Sequence, residues 1–159
     1  MRVGLGYDSH RFAEGGRLVL GGVEIEHPNG LSGHSDADAV AHAVTDALLG
    51  AASLGDIGRH FPPTDERWRD ADSIDLLRQA AQFAAERNYQ VVNVDVTVVC
   101  ETPKISPHAD AMCDRLAAAL GIAPAFVSVK AKTNEGLGWV GRGEGIAAMA
   151  VVLVDRVEG

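Results

Sequence analysis

Stretches with strand periodicity and stretches with helical periodicity alternate along this chain, and that alternation restricts its architecture more than any single motif does. Residues 2–8 read as a first strand, and residues 18–25 as two short β-branched runs on either side of Gly21-Gly22, a hairpin signal. Over residues 38–54, Val40, Val44, Ala47, Leu48 and Ala51 recur at helical spacing behind Ser35, Asp36 and Asp38, which are candidate caps. Residues 55–65 mix Gly, Pro, Asp and Thr without periodicity and read as a loop long enough to cover a site, and residues 72–88 read as a second helix. Residues 89–100 alternate around Val94, Val96 and Val98 as a half-buried strand, residues 107–120 return to helix, and residues 126–132 and 146–155 read as two last strands. This order predicts an α/β (α+β) fold, a two-layer sandwich of a mixed β-sheet with helices on one face.

With 159 residues, 47% of them hydrophobic, the chain can bury one core, and a single domain over 1–159 is expected. A formal net charge of -8 argues against a nucleic-acid-binding surface, which needs clustered Lys and Arg. A small phosphate ester is still open to it, because metal ions and backbone amides can neutralise phosphate inside a pocket. Cys100 and Cys113 form no C-x-x-C pair, so neither a disulfide framework nor a thiolate metal site is expected, and a reducing cytoplasm fits. The start of the chain lacks a signal-peptide core, and the longest apolar stretch, residues 145–154, is about half the length of a membrane-spanning helix.

Asp8 and His10 lie two apart at the end of the first strand and therefore point to one face. His34-Ser35-Asp36-x-Asp38 opens the first helix, and His42, one turn inside it, can face back toward that strand end. One carboxylate and two imidazoles leave a tetrahedral divalent metal with an open position, the pattern of catalytic rather than structural zinc. Asp46, a turn beyond His42, is placed to orient that ring. The same residues also fit a surface Asp-His pair and a hydrogen-bonded core histidine, and Asp36 and Asp38 fit helix caps better than ligands. A glycine-rich stretch follows residue 132, with Lys132, Thr133, Glu135 and Arg142 among Gly136, Gly138, Gly141, Gly143 and Gly145. Phosphate binding through close backbone approach is its functional reading, and a tight turn between strands its structural one. On these residues alone a metal-dependent phosphatase or phosphodiesterase and a non-catalytic binding protein stay open.

Three segments, GLGYDSHRF at 4–12, SGHSDADAVAHAVTDALLGAASLGDIGRHFPPTD at 32–65 and KTNEGLGWVGRGEGIAA at 132–148, closely resemble the 2-C-methyl-D-erythritol 2,4-cyclodiphosphate synthase family, nearly end to end. The resemblance implies a metal-dependent phosphorus-oxygen lyase of the non-mevalonate isoprenoid pathway. Such an enzyme converts 4-diphosphocytidyl-2-C-methyl-D-erythritol 2-phosphate into the cyclic diphosphate and CMP, as a homotrimer with active sites shared between subunits. It implies Asp8, His10 and His42 as zinc ligands, Glu135 for a second cation, Mg2+ or Mn2+, and His34 and Thr133 as catalytic groups. His34 and Ser35 would lie by the erythritol phosphate, Asp56 and Gly58 would hold the methylerythritol unit, and residues 61–65, from Phe61 to Asp65, would form a cover. Pro103, Lys104 and Ile105, with Cys100 and Ala131, would line the cytosine pocket. Asp8, Ser9, His10, Ile57, Lys132, Asn134, Trp139 and Arg142 complete the implied substrate contacts, and Arg142 with Glu144 would line an axial pocket for an isoprenoid diphosphate. Trp139 stands where many relatives carry Phe, Lys132 and Asn134 replace hydroxyl residues, and Pro63 takes no assigned role.

Overall fold

The computed structural model describes residues 1–157; residues 158 and 159, the end of the expected single domain, lie outside the described residues. Among the described residues seven strands run in chain order: β1 Arg2–Glu14, β2 Leu18–Leu20, β3 Val23–Ile25, β4 Asn29–Leu31, β5 Tyr89–Val99, β6 Val127–Lys132 and β7 Gly145–Arg156. The helices are α1 Ala39–Ala51, α2 Ile57–His60, α3 Ser73–Glu86, α4 Ala109–Leu120 and α5 Gly138–Gly141. The main sheet has the order β4-β1-β7-β5-β6, with only β5 and β6 parallel, and β2 pairs with β3 as a separate hairpin. The expected mixed sheet is therefore present. No helix among the described residues is long and apolar enough to cross a membrane.

Helices cover one face of this sheet. Val94, Val96 and Val98 of β5 and Ile146, Ala148, Ala150, Val152 and Val154 of β7 point into the core, as a period-two pattern requires. The residues between them point the other way, and Val3, Leu5, Tyr7, Met149 and Val151 stay exposed on the uncovered face.

On β1 the helix-facing positions are Gly4 and Gly6, and a Cβ at either would lie 1.9 Å from a carbonyl oxygen of α1, Ala47 or Ala43 respectively. Without side chains there, α1 lies directly on the strand, backbone against backbone. Asp8 and His10 continue the same inward face, and His42 neighbours Ala43, so this close contact carries His42 over the two strand residues.

Four expectations from sequence change. The first strand runs on to Glu14 through pairing with β7 and β4, so Asp8 and His10 sit in its middle rather than at its end. Residues 29–31 form an unanticipated edge strand, too short to show a period. Residues 55–65 contain the short helix α2, capped by Asp56 accepting the Arg59 N–H at 2.9 Å. The helix expected over 107–120 begins with a separate 3₁₀ turn at residues 106–108. The hairpin stands, with both turn residues at positive φ, Gly21 at 56° and Gly22 at 72°.

Asp38 joins that hairpin to α1. Its fully buried carboxylate accepts N–H groups from Gly21 at 2.8 Å, Gly22 at 2.7 Å and Ala41 at 2.9 Å, capping the helix and clamping the turn at once. Burial pushes this carboxyl up to about 6 against those three donors, and the charge of Asp36 adds to the rise.

Candidate metal centre and its cavity

β1 supplies Asp8 and His10, and the second helical turn of α1 supplies His42. Asp8 Oδ2 lies 2.9 Å from His10 Nε2 and 3.0 Å from His42 Nδ1, and the two ring nitrogens are 3.2 Å apart. Four-coordinate zinc with bonds of about 2.0–2.1 Å has ligand atoms about 3.3 Å from one another, so the triangle has the size of one tetrahedral face. His10 Nδ1 donates to the Ser32 carbonyl at 2.8 Å, and a carbonyl can only accept, so in the neutral ring Nε2 holds a lone pair. A carboxylate and at least one imidazole thus aim lone pairs at one point, an arrangement that a cation completes. The donor set fits a divalent metal.

Charge on these groups is tightly linked. Burial works to raise the Asp8 carboxyl, but hydrogen bonds and charge from His10 and His42 overcome it and hold the group down to about 2. Burial works to lower the His10 pKa, and the neighbouring Asp8 carboxylate overcomes that and raises it above the usual imidazole value.

A cavity of about 270 Å³ opens beside the triad. His10, His34, Ser35 and His42 form its polar side, and Ile57, Gly58, Phe61, Pro63, Trp68 and Leu76 its apolar side. Of the residues expected from sequence, His34, Ser35, Ile57, Gly58 and Phe61 are therefore gathered beside the Asp8-His10-His42 triad. His34 Nε2 lies 3.4 Å from the Asp65 carbonyl oxygen, while the Asp65 carboxylate turns outward to Arg67 at 2.6 Å. Asp56 is exposed and its carboxylate caps α2. Asp46 does not orient His42: its carboxylate accepts the Ile57 N–H at 2.7 Å and anchors the start of α2 instead. The His42 ring meets Ser73 and Ser35, with Nε2 2.8 Å and 3.0 Å from their hydroxyl oxygens.

The remaining expected residues lie elsewhere in the chain. Cys100, Pro103, Lys104, Ile105, Ala131, Lys132 and Thr133 line a second cavity of about 370 Å³ with Glu101 and Ser106. Burial pushes the Cys100 thiol up to about 11, so it contributes shape rather than a thiolate. Glu101 accepts the Asn134 N–H at 2.9 Å and the Gly136 N–H at 3.3 Å, pinning the glycine-rich loop, and the Thr133 hydroxyl lies 3.3 Å from Glu135. Trp139 shares a third recess with Ser9, His10, Arg11 and Glu144, and Arg142 pairs with Glu144 at 2.6 Å. β6, which ends at Lys132, is three strand spacings from β1, roughly 14 Å of sheet. Within one chain, Thr133 and His34 therefore belong to different cavities.

Sequence reasoning passed over Trp68, Leu76, Ser73 and Glu101. Ser73 and Glu101 act through partners distant in sequence, Asp36 and Asn134, and no local period marks them.

Fold and site together define a small α/β enzyme with an Asp-His-His donor set of the divalent-metal type. The model of the YgbB family matches residues 1–155, and the chain belongs to that family. It is 60% identical over 156 residues to the 2-C-methyl-D-erythritol 2,4-cyclodiphosphate synthase of Dechloromonas aromatica, covering 98% of each chain. A solved 2C-methyl-D-erythritol-2,4-cyclodiphosphate synthase in a CDP-bound form superposes with a TM-score of 0.88 at 41% identity, over 97% of this chain and all of that one. The bifunctional IspDF of Campylobacter jejuni superposes with a TM-score of 0.95 at 40% identity, and there this chain spans 42% of the longer protein.

Proposed function

We propose that this chain converts 4-diphosphocytidyl-2-C-methyl-D-erythritol 2-phosphate into 2-C-methyl-D-erythritol 2,4-cyclodiphosphate with release of CMP, a step of non-mevalonate isoprenoid synthesis. The observation that carries the reading is the convergence of Asp8, His10 and His42 at the polar end of the cavity, in a chain so similar to synthases of that name. The substrate brings its own nucleophile. An oxygen of the 2-phosphate bonds to the β-phosphorus, the bridge from that phosphorus to the α-phosphate breaks, and the electron pair leaves with CMP. The enzyme is thus a phosphorus-oxygen lyase, and its contribution is orientation and charge stabilisation. A zinc ion at the triad, with magnesium or manganese at Glu135, would supply Lewis-acid polarisation and neutralise charge along the diphosphate.

The chain's own groups divide the substrate between them. His34 and Ser35 hold the erythritol phosphate, and His34 with Thr133 supports the transition state. Asp56, Ile57 and Gly58 hold the methylerythritol unit under the cover of residues 61–65, while Ser9, Lys132, Asn134, Trp139 and Arg142 complete the contacts. The cytosine sits in the cavity of Cys100, Pro103, Lys104, Ile105 and Ala131. A single domain over 1–159 carries all of these residues, and three copies form a homotrimer. The exposed apolar face of the sheet supports that assembly, and so does the separation of the two cavities, which a neighbouring subunit would bridge. Arg142 and Glu144 would then face an axial ligand, an isoprenoid diphosphate. The enzyme works in the cytoplasm, where its two free cysteines stay reduced.

Phosphorus NMR of a reaction with the diphosphocytidyl substrate tests the reading. Cyclic diphosphate and equimolar CMP are expected. Linear phosphates alone would mean that water attacks, and would replace this reading with a metal-dependent phosphatase.

A further inference from the structure

We infer that Asp36 and Ser73 are positioning residues that fix the His42 ring in the tautomer whose Nδ1 lone pair faces Asp8 and His10, and so set how tightly the site takes a divalent cation. The inference rests on the metal role of the triad proposed above.

Hydrogen-bond accounting around one hydroxyl carries it. Ser73 opens α3 and is fully buried, and its Oγ contacts Asp36 Oδ1 and His42 Nε2, the latter at 2.8 Å. A hydroxyl has one proton to give, and an ionised carboxylate has none. Asp36 is held as an acceptor by two backbone donors as well, Ser73 N–H at 3.1 Å and Asp38 N–H at 3.2 Å. The Ser73 proton therefore goes to Asp36, and the Ser73 oxygen is left to accept from His42. That places the ring proton on Nε2 and the lone pair on Nδ1, 3.0 Å from Asp8 Oδ2 and 3.2 Å from His10 Nε2.

Ser35 approaches the same ring nitrogen at 3.0 Å but cannot decide the tautomer. It accepts the Ala37 N–H at 3.3 Å, and with the Ser73 proton given to Asp36 the Ser73 oxygen at 3.4 Å can only accept the Ser35 proton, so nothing obliges Ser35 to give that proton to the ring. The two histidines consequently face the metal point through different nitrogens, His10 held by a carbonyl and His42 by a hydroxyl that a carboxylate has polarised. Asp36 also donates its own N–H to the Ala71 carbonyl at 3.1 Å, so this pair ties the ligand ring to the segment between the cavity wall and α3.

Zinc transfer to a chromophoric chelator, followed for the zinc-loaded wild type, Ser73→Ala, Asp36→Asn and Ser35→Ala, tests this directly. Partners of this kind around a ligating histidine are worth about 10–100-fold in metal affinity. Ser73→Ala and Asp36→Asn should weaken zinc binding by that order while melting normally at saturating zinc, and Ser35→Ala should stay within a few-fold of wild type. Histidine ring NMR of the zinc-loaded wild type needs no variant to fold, and should show the His42 proton on Nε2. Wild-type affinity in both Ser73→Ala and Asp36→Asn, greater loss in Ser35→Ala than in Ser73→Ala, or a His42 ring bound through Nε2 would each overturn the inference. If the wild type itself takes up no zinc, the metal reading fails instead.

Discussion

His42 is the member of the Asp8-His10-His42 group through which helix and strand meet, and its removal is the simplest test of the proposed metal centre. His42→Ala leaves Asp8 and His10 as a two-donor remnant, so metal content after dialysis should fall below one tenth of wild type and CMP release should become undetectable. Circular dichroism should show the fold retained; a zinc-free variant that turned over at the wild-type rate would refute the assignment. Trp68 makes a different forecast. Its indole N–H is buried without a partner among the described residues, a state that costs about 1–3 kcal/mol. Trp68→Phe removes that donor and keeps an aromatic ring at the edge-to-face contact with Phe61, so its urea midpoint should equal or exceed the wild type's. A loss of several kcal/mol would mean that the indole nitrogen has a partner in solution. At this scale the convergence of Asp8, His10 and His42 was legible in sequence, because a D-x-H pair on a strand and a histidine one turn into a helix have defined directions. Asp36 and Ser73 were not, since 37 residues separate them and no local period connects them.

Contact between α1 and β1 is where sequence pattern misled by omission. The apolar alternation visible in residues 2–8 belongs to Val3, Leu5 and Tyr7, which face outward, while the inward face carries glycines that add nothing to a hydrophobic period. Those glycines set the distance between helix and strand. Gly6→Ala would place a methyl 1.9 Å from the Ala43 carbonyl oxygen, so α1 must lift, with loss of both melting temperature and zinc affinity. Gly50, exposed in the same helix with nothing near its missing Cβ, is the control: Gly50→Ala should raise stability by about 0.5–1 kcal/mol. The Asp38 clamp adds a pH dependence. Its folded pKa of about 6 exceeds the unfolded value, so between roughly pH 4 and 6 the folded chain holds a proton that the unfolded chain has released. Its contribution to stability therefore falls as pH rises through that window and is level above it, by roughly 3 kcal/mol in all. Urea unfolding of wild type and Asp38→Asn from pH 4 to 8 isolates this slope, because effects of metal loss at low pH are common to both; parallel curves would show that Asp38 does not titrate there.

For the whole molecule, the order of helices and strands was enough to anticipate a mixed sheet with helices on one face, since each long element carries its own period. The short edge strand β4 and the helix α2 were hidden because three or four residues cannot display one. Assembly makes its own prediction. If the triad of one subunit works with Thr133 of the next, His10→Ala and Thr133→Ala proteins are each inactive, yet refolding them together regenerates sites from the two intact halves. Random mixing in a closed ring should return about a quarter of wild-type activity, and none from verified mixed trimers would refute a shared site. The uncovered sheet face has one more consequence. If its apolar residues are satisfied only by other copies of the chain, the catalyst exists only above a threshold concentration of protein. Below that threshold, if three copies make the active particle, activity per chain should fall as the square of concentration, because each chain needs two further copies to meet it. Abundance in the cell would then act on this reaction as steeply as any effector could.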